Sequence, residues 1–446
     1  MATLTMRTSL VCAGCGEAAQ PLEPRPFRCS NAVEGDDIDH RLVRDIDLRD
    51  KEADELRRPF VDPESNPFVR YRKLTHAWHT AAAVGISDAA FVKVVRKLDE
   101  RVAEVEGCGF QVTPFEKKLP LGAAVGIDGD LWVKDETRNV AGSHKGRHLM
   151  GLALWLAVAE EIDHDLRLSR LAIASCGNAA LAAAVIARAS SRSLDVFMPE
   201  HASTPIAKRI EGLGARVHRC VRESGQGGDP SYRRFREAVA AGALPFTCQG
   251  NENGLVVEGG ETLGWEIVSQ LLATDGKIDR LFIQVGGGAL ASACIAALEE
   301  AVALGLLPRL PRIHAVQTTA SPLRRAYERV VALAMAPDDA LQYAVRHRGD
   351  FMWPWETEPL SVATGILDDE TYDWAGVIRG MLISGGSPIV VSEERLIQAQ
   401  RRAISLTGIP VDATGSGGLA GAIEARRLGL LARHESIAVV FTGQIR

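Results

Sequence analysis

The chain has 446 residues, 46% hydrophobic and 24% charged, with a formal net charge of −6 and a pI of about 6.0. That balance belongs to a globular protein long enough for two or three domains, and without a basic stripe it argues against nucleic acid or an anionic membrane as partner. No apolar run reaches the roughly 18 residues of a membrane span, the start lacks the apolar core of a secretory signal, and the eight scattered cysteines read as reduced thiols, so a cytoplasmic location is expected.

Residues 1–110 read as an N-terminal extension. The first forty are turn-rich and hold Cys12-x-x-Cys15-Gly16 and, further on, Cys29. Three cysteines would supply three zinc ligands, but a structural zinc takes four. The position three residues after Cys29 is Ala32, and His40, Asp36 or Asp37 would have to substitute. The expectation is a degenerate zinc-ribbon-like start without metal. Residues 88–107 then show helical spacing.

From about residue 110 short apolar runs alternate with longer alanine- and leucine-rich segments. Strands are predicted at 170–175, 194–199, 215–221, 280–285, 312–317 and 436–443, and helices at 178–190, 204–214 and 291–305. Strand then helix, repeated, indicates an α/β protein of parallel sheets covered by helices. Residues 335–360 carry no clear pattern and are read as an active-site loop or a crossing between domains.

Ligands bind such sheets at the carboxyl ends of the strands. One turn there is Gly286-Gly287-Gly288-Ala289-Leu290, after "RLFIQV" and before an apolar helix. Its glycines and the helix start suit a phosphate, although the spacing is neither a dinucleotide fingerprint nor a Walker loop. A tight turn for strand–helix packing is the alternative. A second turn is Ser175-Cys176-Gly177-Asn178, where Asn178 reads most simply as a helix cap. The third follows "DLWVKDE": Ser143, His144 and Lys145 open a helix, and the helix dipole disfavours a positive charge there. A lysine so placed favours its neutral, nucleophilic form. An activated amine, a phosphate cradle and an amide together match the needs of pyridoxal 5'-phosphate.

On these motifs the sequence resembles the fold-type II pyridoxal-phosphate enzymes, and among them threonine synthases. "TPFEKKLPLGAAVGIDGDLWVKDETRNVAGSHKGRH", "SCGNAALAAAVIARA", "VGGGAL", "SVATGI", "SGGSPIVVSEERLIQAQRRAISLTGIPVDATGSGGLAG" and "AVVFTGQ" run in the family's order. The resemblance implies two parallel-sheet, three-layer domains of the tryptophan synthase β-like architecture after the N-terminal extension. Residues 111–150 and 266–446 would form the large cofactor-binding domain and 151–265 the small inserted one. It implies that Lys145 is the Schiff-base lysine and that Asn178 bonds the ring oxygen. Gly286, Gly287, Gly288, Ala289 and Leu290 would hold the phosphate, and Thr442 would face the ring nitrogen. Ser143, Ser175 and Gly177 would receive a small amino-acid substrate, and a homodimer is implied.

Several positions depart from the family pattern. Lys145-Gly146-Arg147 replaces Lys-Asp-Arg, and His144 precedes the lysine as in the tryptophan synthase β chain, within reach of the phosphate. Asp412-Ala413 replaces Glu-Pro, and 222–238 looks altered. The implied reaction is elimination or replacement, with O-phosphohomoserine and water giving threonine and phosphate. A serine or threonine dehydratase, a β-replacement synthase and an inert cofactor-binding homologue remain as alternatives. Arg147, Lys208, Arg209 and Arg233 are the candidates for a second phosphate site, each read as a solvated surface charge.

Overall fold

The computed structural model describes residues 6–48, 53–222, 228–319, 322–355 and 359–446. The apolar runs become strands of two main sheets. The larger has six strands: β3 (Phe115–Lys117), β4 (Leu131–Asp135), β9 (Arg280–Gln284), β10 (Arg312–Gln317), β11 (Ile389–Val390) and β12 (Ile437–Phe441), in the order β11-β10-β9-β12-β4-β3. Every pairing is parallel except β3 with β4. The second sheet, β7-β6-β5-β8, is all parallel and uses β5 (Leu171–Ala174), β6 (Leu194–Pro199), β7 (Arg216–Cys220) and β8 (Leu244–Pro245). A small antiparallel pair, β1 (Thr8–Cys12) with β2 (Leu42–Ile46), stands before them.

All five residues of β4, β9 and β12 are buried. Parallel strands covered on both faces read as continuous apolar runs rather than alternating ones. Their side chains still divide by the strand period of two. Leu281, Ile283, Ala438 and Val440 enter one apolar core, while Phe282, Ile437, Val439 and Phe441 enter another on the opposite face. Helices therefore cover both faces, giving three layers. A separate core lies around the helices Lys145–Ala159 and Asn178–Ala189 and strands β5 and β6.

The helices expected at 88–107, 178–190, 204–214 and 291–305 form as Asp88–Glu106, Asn178–Ala189, Thr204–Gly212 and Ala289–Ala303. Residues 335–360 are a correction: Pro337–Arg346 is helical, and a short turn follows at Arg348–Phe351. Ala340, Leu341, Ala344 and Val345 make a one-sided apolar stripe buried in the core of the large sheet. Of the altered stretch 222–238, residues 223–227 lie outside the described residues, and Pro230–Ala240 is a helix capped by Asp229. Among the described residues no helix is long and apolar enough to cross a membrane.

Candidate active site

In the large sheet β9, β12 and β4 are neighbours, so the turns that leave their carboxyl ends share one edge. The chain leaving β4 reverses at Ala141 (φ 56°) and Gly142 (φ 61°) before reaching Ser143. A non-glycine residue in the left-handed region costs of the order of 1 kcal/mol and persists where the surroundings enforce it. The enforcement comes from the chain leaving β12. Ser143 pairs with Gly443, the His144 amide donates to the Thr442 carbonyl at 3.1 Å, and the Gln444 amide donates to the Gly142 carbonyl at 3.0 Å. Lys145 then begins its helix, as the sequence predicts, with His144 as the preceding cap residue. It is half-buried, and its Nζ has no hydrogen-bond or ion-pair partner among the described residues.

Two imidazoles near this amine are uncharged. His144 is buried, with Nδ1 3.3 Å from the Thr442 carbonyl, and burial together with the Lys145 charge holds its imidazole well below the usual range. His148, bonded through Nδ1 to the Val256 carbonyl at 2.8 Å, is pushed down to about 3 by burial. The His144 ring lies edge-on to His148, 5.7 Å away.

Thr442 is buried at the end of β12, and Gln284 ends β9 beside it. Gln284 Nε2 donates to Thr442 Oγ1 at 2.7 Å and to the Gly415 carbonyl at 2.8 Å, while its Oε1 accepts from the Gly418 amide at 3.2 Å. Gln284 was missed by the sequence reading. A glutamine inside the otherwise apolar "RLFIQV" was the available signal, because a buried amide needs partners.

Gly286, Gly287 and Gly288 connect β9 to the helix Ala289–Ala303. Gly288 has φ 96°, a conformation that side chains rarely adopt. The Gly287 amide already meets an anion: it donates to Asp368 Oδ2 at 2.6 Å. A Cβ at Gly286 would fall 2.3 Å from the same oxygen. Asp368 lines a small pocket with Gly286, and the protein crowded around it raises its carboxyl to about 6, an effect that the Lys145 charge partly offsets. Lys145 and the glycine turn thus act on one carboxylate. Ala289 and Leu290 are buried, Leu290 in the core of the large sheet, which leaves their backbone for any ligand. Asp368 was also missed; the run Asp368-Asp369-Glu370 after "SVATGI" was its trace in the sequence.

Ser175, Cys176 and Gly177 leave β5 and lead into the helix Asn178–Ala189. Ser175 Oγ accepts from the Gly177 amide at 3.4 Å. The cap position belongs to Gly177, and Asn178 is the first helical residue with no capping bond, so the reading of Asn178 as a cap is corrected. Its side chain approaches the chain leaving β12: a Cβ built on Gly443 would lie 2.8 Å from Asn178 Nδ2.

Arg147 is a second correction. It is wholly buried, with Nε 2.8 Å from Glu136 Oε2 and Nη1 2.6 Å from Glu266 Oε1, while Lys134 Nζ is 2.6 Å from Glu266 Oε2. Despite burial, Arg147 holds the Glu136 carboxyl down at about 2. Lys208 and Arg209 are exposed, Arg209 pairing with Glu106, and Arg233 is half-buried.

These residues fit a phosphorylated aldehyde coenzyme. Ser143 Oγ is fully buried beside Lys145 without a hydrogen-bond partner among the described residues. The glycine turn aims an amide at an anion, and one half-buried amine is free within electrostatic reach. A family model described as pyridoxal-phosphate dependent enzyme matches residues 109–443. The chain belongs to this family. Its cofactor is pyridoxal 5'-phosphate. Threonine synthase of Methanosarcina acetivorans is 26% identical over 345 residues, covering 75% of this chain and 74% of that protein. The biosynthetic L-threonine dehydratase of Haemophilus influenzae is 24% identical over 214 residues, 48% of this chain and 38% of that protein. Diaminopropionate ammonia lyase from Escherichia coli shares the fold with a TM-score of 0.58 at 16% identity, covering 87% of this chain and 92% of that one. Maize serine racemase also has a TM-score of 0.58, at 18% identity over 79% of this chain and 93% of that one. The architecture is therefore the tryptophan synthase β-like fold of fold-type II enzymes.

Proposed function

We propose that the protein is a lyase that removes or replaces the side-chain leaving group of a small amino acid at Lys145. The observation that carries this reading is the bond from Gln284 to Thr442. The hydroxyl proposed to face the ring nitrogen is neutral, where an aspartate would protonate that nitrogen. An unprotonated nitrogen withdraws electrons less strongly, which suits elimination and replacement better than transamination.

Lys145 would hold the cofactor, with the amides of 286–290 at its phosphate, Asn178 at the ring oxygen and Thr442 at the ring nitrogen, and Ser143 would lie on the substrate side. Bound there, pyridoxal 5'-phosphate supplies the sink for the electron pair released at Cα. The substrate carboxylate is received at the Ser175–Asn178 turn, where a helix start favours an anion. Lys145 Nζ would be the base that takes the Cα proton. His144 and His148, uncharged through burial, place no second positive charge beside it.

The first substrate reading is O-phosphohomoserine with water, giving threonine and phosphate, and the threonine synthase relative supports it. Elimination of water from serine or threonine with release of ammonia is the second. It is favoured by the acidic wall of Asp368 and Asp369 and by the engagement of Arg147 with two glutamates, which leaves little positive charge for a substrate phosphate. Titration of the holoenzyme with O-phosphohomoserine, serine, threonine and O-acetylserine, with phosphate, ammonia and acetate assayed, separates them. Phosphate with threonine supports the first, and ammonia from serine or threonine the second. Spectral silence toward all four contradicts the proposal. A cytoplasmic homodimer is the assembly we infer, checked by light scattering and cell fractionation.

A further inference from the structure

The N-terminal extension lies outside the residues matched by the family, and no step proposed above uses its thiols. The fold nevertheless gathers them. Cys12 ends β1, Cys15 sits in the turn that follows, Cys29 comes from the next loop, and His40 immediately precedes the Arg41-Leu42 entry to β2. One donor atom from each of Cys12, Cys15, Cys29 and His40 lies within 4.8 Å of all the others. Cys12 Sγ is 3.5 Å from His40 Nδ1, and Cys15 Sγ is 3.6 Å from Cys29 Sγ. A tetrahedral ion with bonds of about 2.3 Å to sulfur and about 2.1 Å to nitrogen sets its donors roughly 3.6–3.8 Å apart.

Three features mark a built site. Backbone amides point at the sulfurs: Cys15 N–H at Cys12 Sγ (3.5 Å) and Asn31 N–H at Cys29 Sγ (3.4 Å), which stabilises thiolates. The far nitrogen of the histidine is engaged, with Nε2 3.1 Å from Asp36 Oδ2, so Nδ1 is left as the ligating lone pair. The turn between the first two cysteines closes against the other limb of the hairpin, since a Cβ at Gly14 would lie 2.5 Å from the Asp39 carbonyl oxygen. Ala32 fills the place where local spacing called for the fourth ligand, and His40 reaches the cluster because β2 pairs with β1 in the register Cys12↔Leu42.

We propose that Cys12, Cys15, Cys29 and His40 bind one divalent ion of the zinc class as a closed structural centre. Three sulfurs and one imidazole in tetrahedral reach select zinc over hard, oxygen-seeking cations. The centre also has something to hold. The next residue, Arg41, is buried against Asp373 with Nη1 2.5 Å from Oδ1, and the Asp373 amide donates to the Gly287 carbonyl at 2.8 Å. The ion would pin the hairpin that braces the glycine turn from behind.

The test uses the full chain, purified without chelator in its cofactor-loaded form. Elemental analysis should find close to one zinc per chain. Replacement by Co2+ should give the visible bands of a tetrahedral thiolate site. His40→Ala and Cys29→Ser should each lose those bands and at least tenfold in metal affinity, and Asp36→Asn should weaken binding by about tenfold. Circular dichroism and the bound-cofactor absorbance report whether each variant folds. No metal and no cobalt bands in the folded wild type would overturn the proposal, as would cobalt bands unchanged in both ligand variants. A thiol count that rises by two only after reduction would instead assign a Cys15–Cys29 disulfide and also overturn it.

Discussion

Gln284 Nε2 donates to Thr442 Oγ1 at 2.7 Å, and the orientation of that amide is fixed because its oxygen accepts from the Gly418 N–H. The threonine oxygen therefore receives a hydrogen bond from the protein, and its own proton is left for another acceptor. Gln284→Leu removes this constraint. It should lower kcat roughly tenfold, the worth of one such bond, with KM changed little, and should shift the cofactor absorbance. Unchanged kcat and spectrum would show that Thr442 needs no positioning.

Arg147 tests the buried charge cluster. Arg147→Met leaves Glu136 and Glu266 without their guanidinium at zero exposure. Removing one partner of a buried pair costs about 3–5 kcal/mol because a charge stays uncompensated. Urea unfolding of the variant should show a loss of that size. A loss under 1 kcal/mol would place the arginine in the solvated role that the sequence suggests.

Asp368 bears on cofactor affinity. Its carboxyl, raised to about 6, is charged at pH 8 and protonated at pH 5. When charged it occupies the Gly287 amide and repels a phosphate. Asp368→Asn should bind pyridoxal 5'-phosphate several-fold more tightly than wild type at pH 8, with the difference closing by pH 5. The phosphate's own ionisation is common to both proteins and cancels in the comparison. Weaker binding by the variant throughout would make Asp368 a cofactor ligand instead.

His314 predicts a pH effect on stability. Its Nδ1 faces the Ser387 carbonyl at 3.1 Å and its Nε2 meets the Arg280 guanidinium at 3.0 Å, and burial pushes it down to about 4. The folded value lies below the ordinary 6.5, so the unfolded chain binds the extra proton. Stability from this group is complete above pH 6.5 and is lost as pH falls toward 4, at up to ~1.4 kcal/mol per pH unit. His314→Asn should flatten the stability profile in that window relative to wild type. Parallel profiles for the two proteins would contradict this.

The parallel strands and their helices were legible because both faces of β4, β9 and β12 are buried, which leaves unbroken apolar runs. Lys145, the glycine turn and the Ser175–Asn178 turn were legible because each is a local motif at a strand end. What escaped depends on partners far along the chain. Arg147 looked like a surface charge because Glu266 is 119 residues away. His40 was legible only as one of three substitutes for the fourth ligand, with Asp36 and Asp37, and the β1–β2 pairing is what brings it to Cys12. Asp368 reaches Gly287 across 81 residues. The helix Pro337–Arg346 was hidden by its shortness, a single apolar stripe between a proline and a histidine.

The central claim is that Lys145 is the amine that holds the coenzyme. Borohydride reduction of the yellow holoenzyme, followed by proteolysis and mass spectrometry of the peptides, tests it directly. The account predicts a single pyridoxyl-phosphate adduct on the peptide that contains Lys145, and loss of that adduct and of turnover in Lys145→Ala. An adduct on another lysine, or a bound coenzyme that borohydride cannot fix, would contradict it.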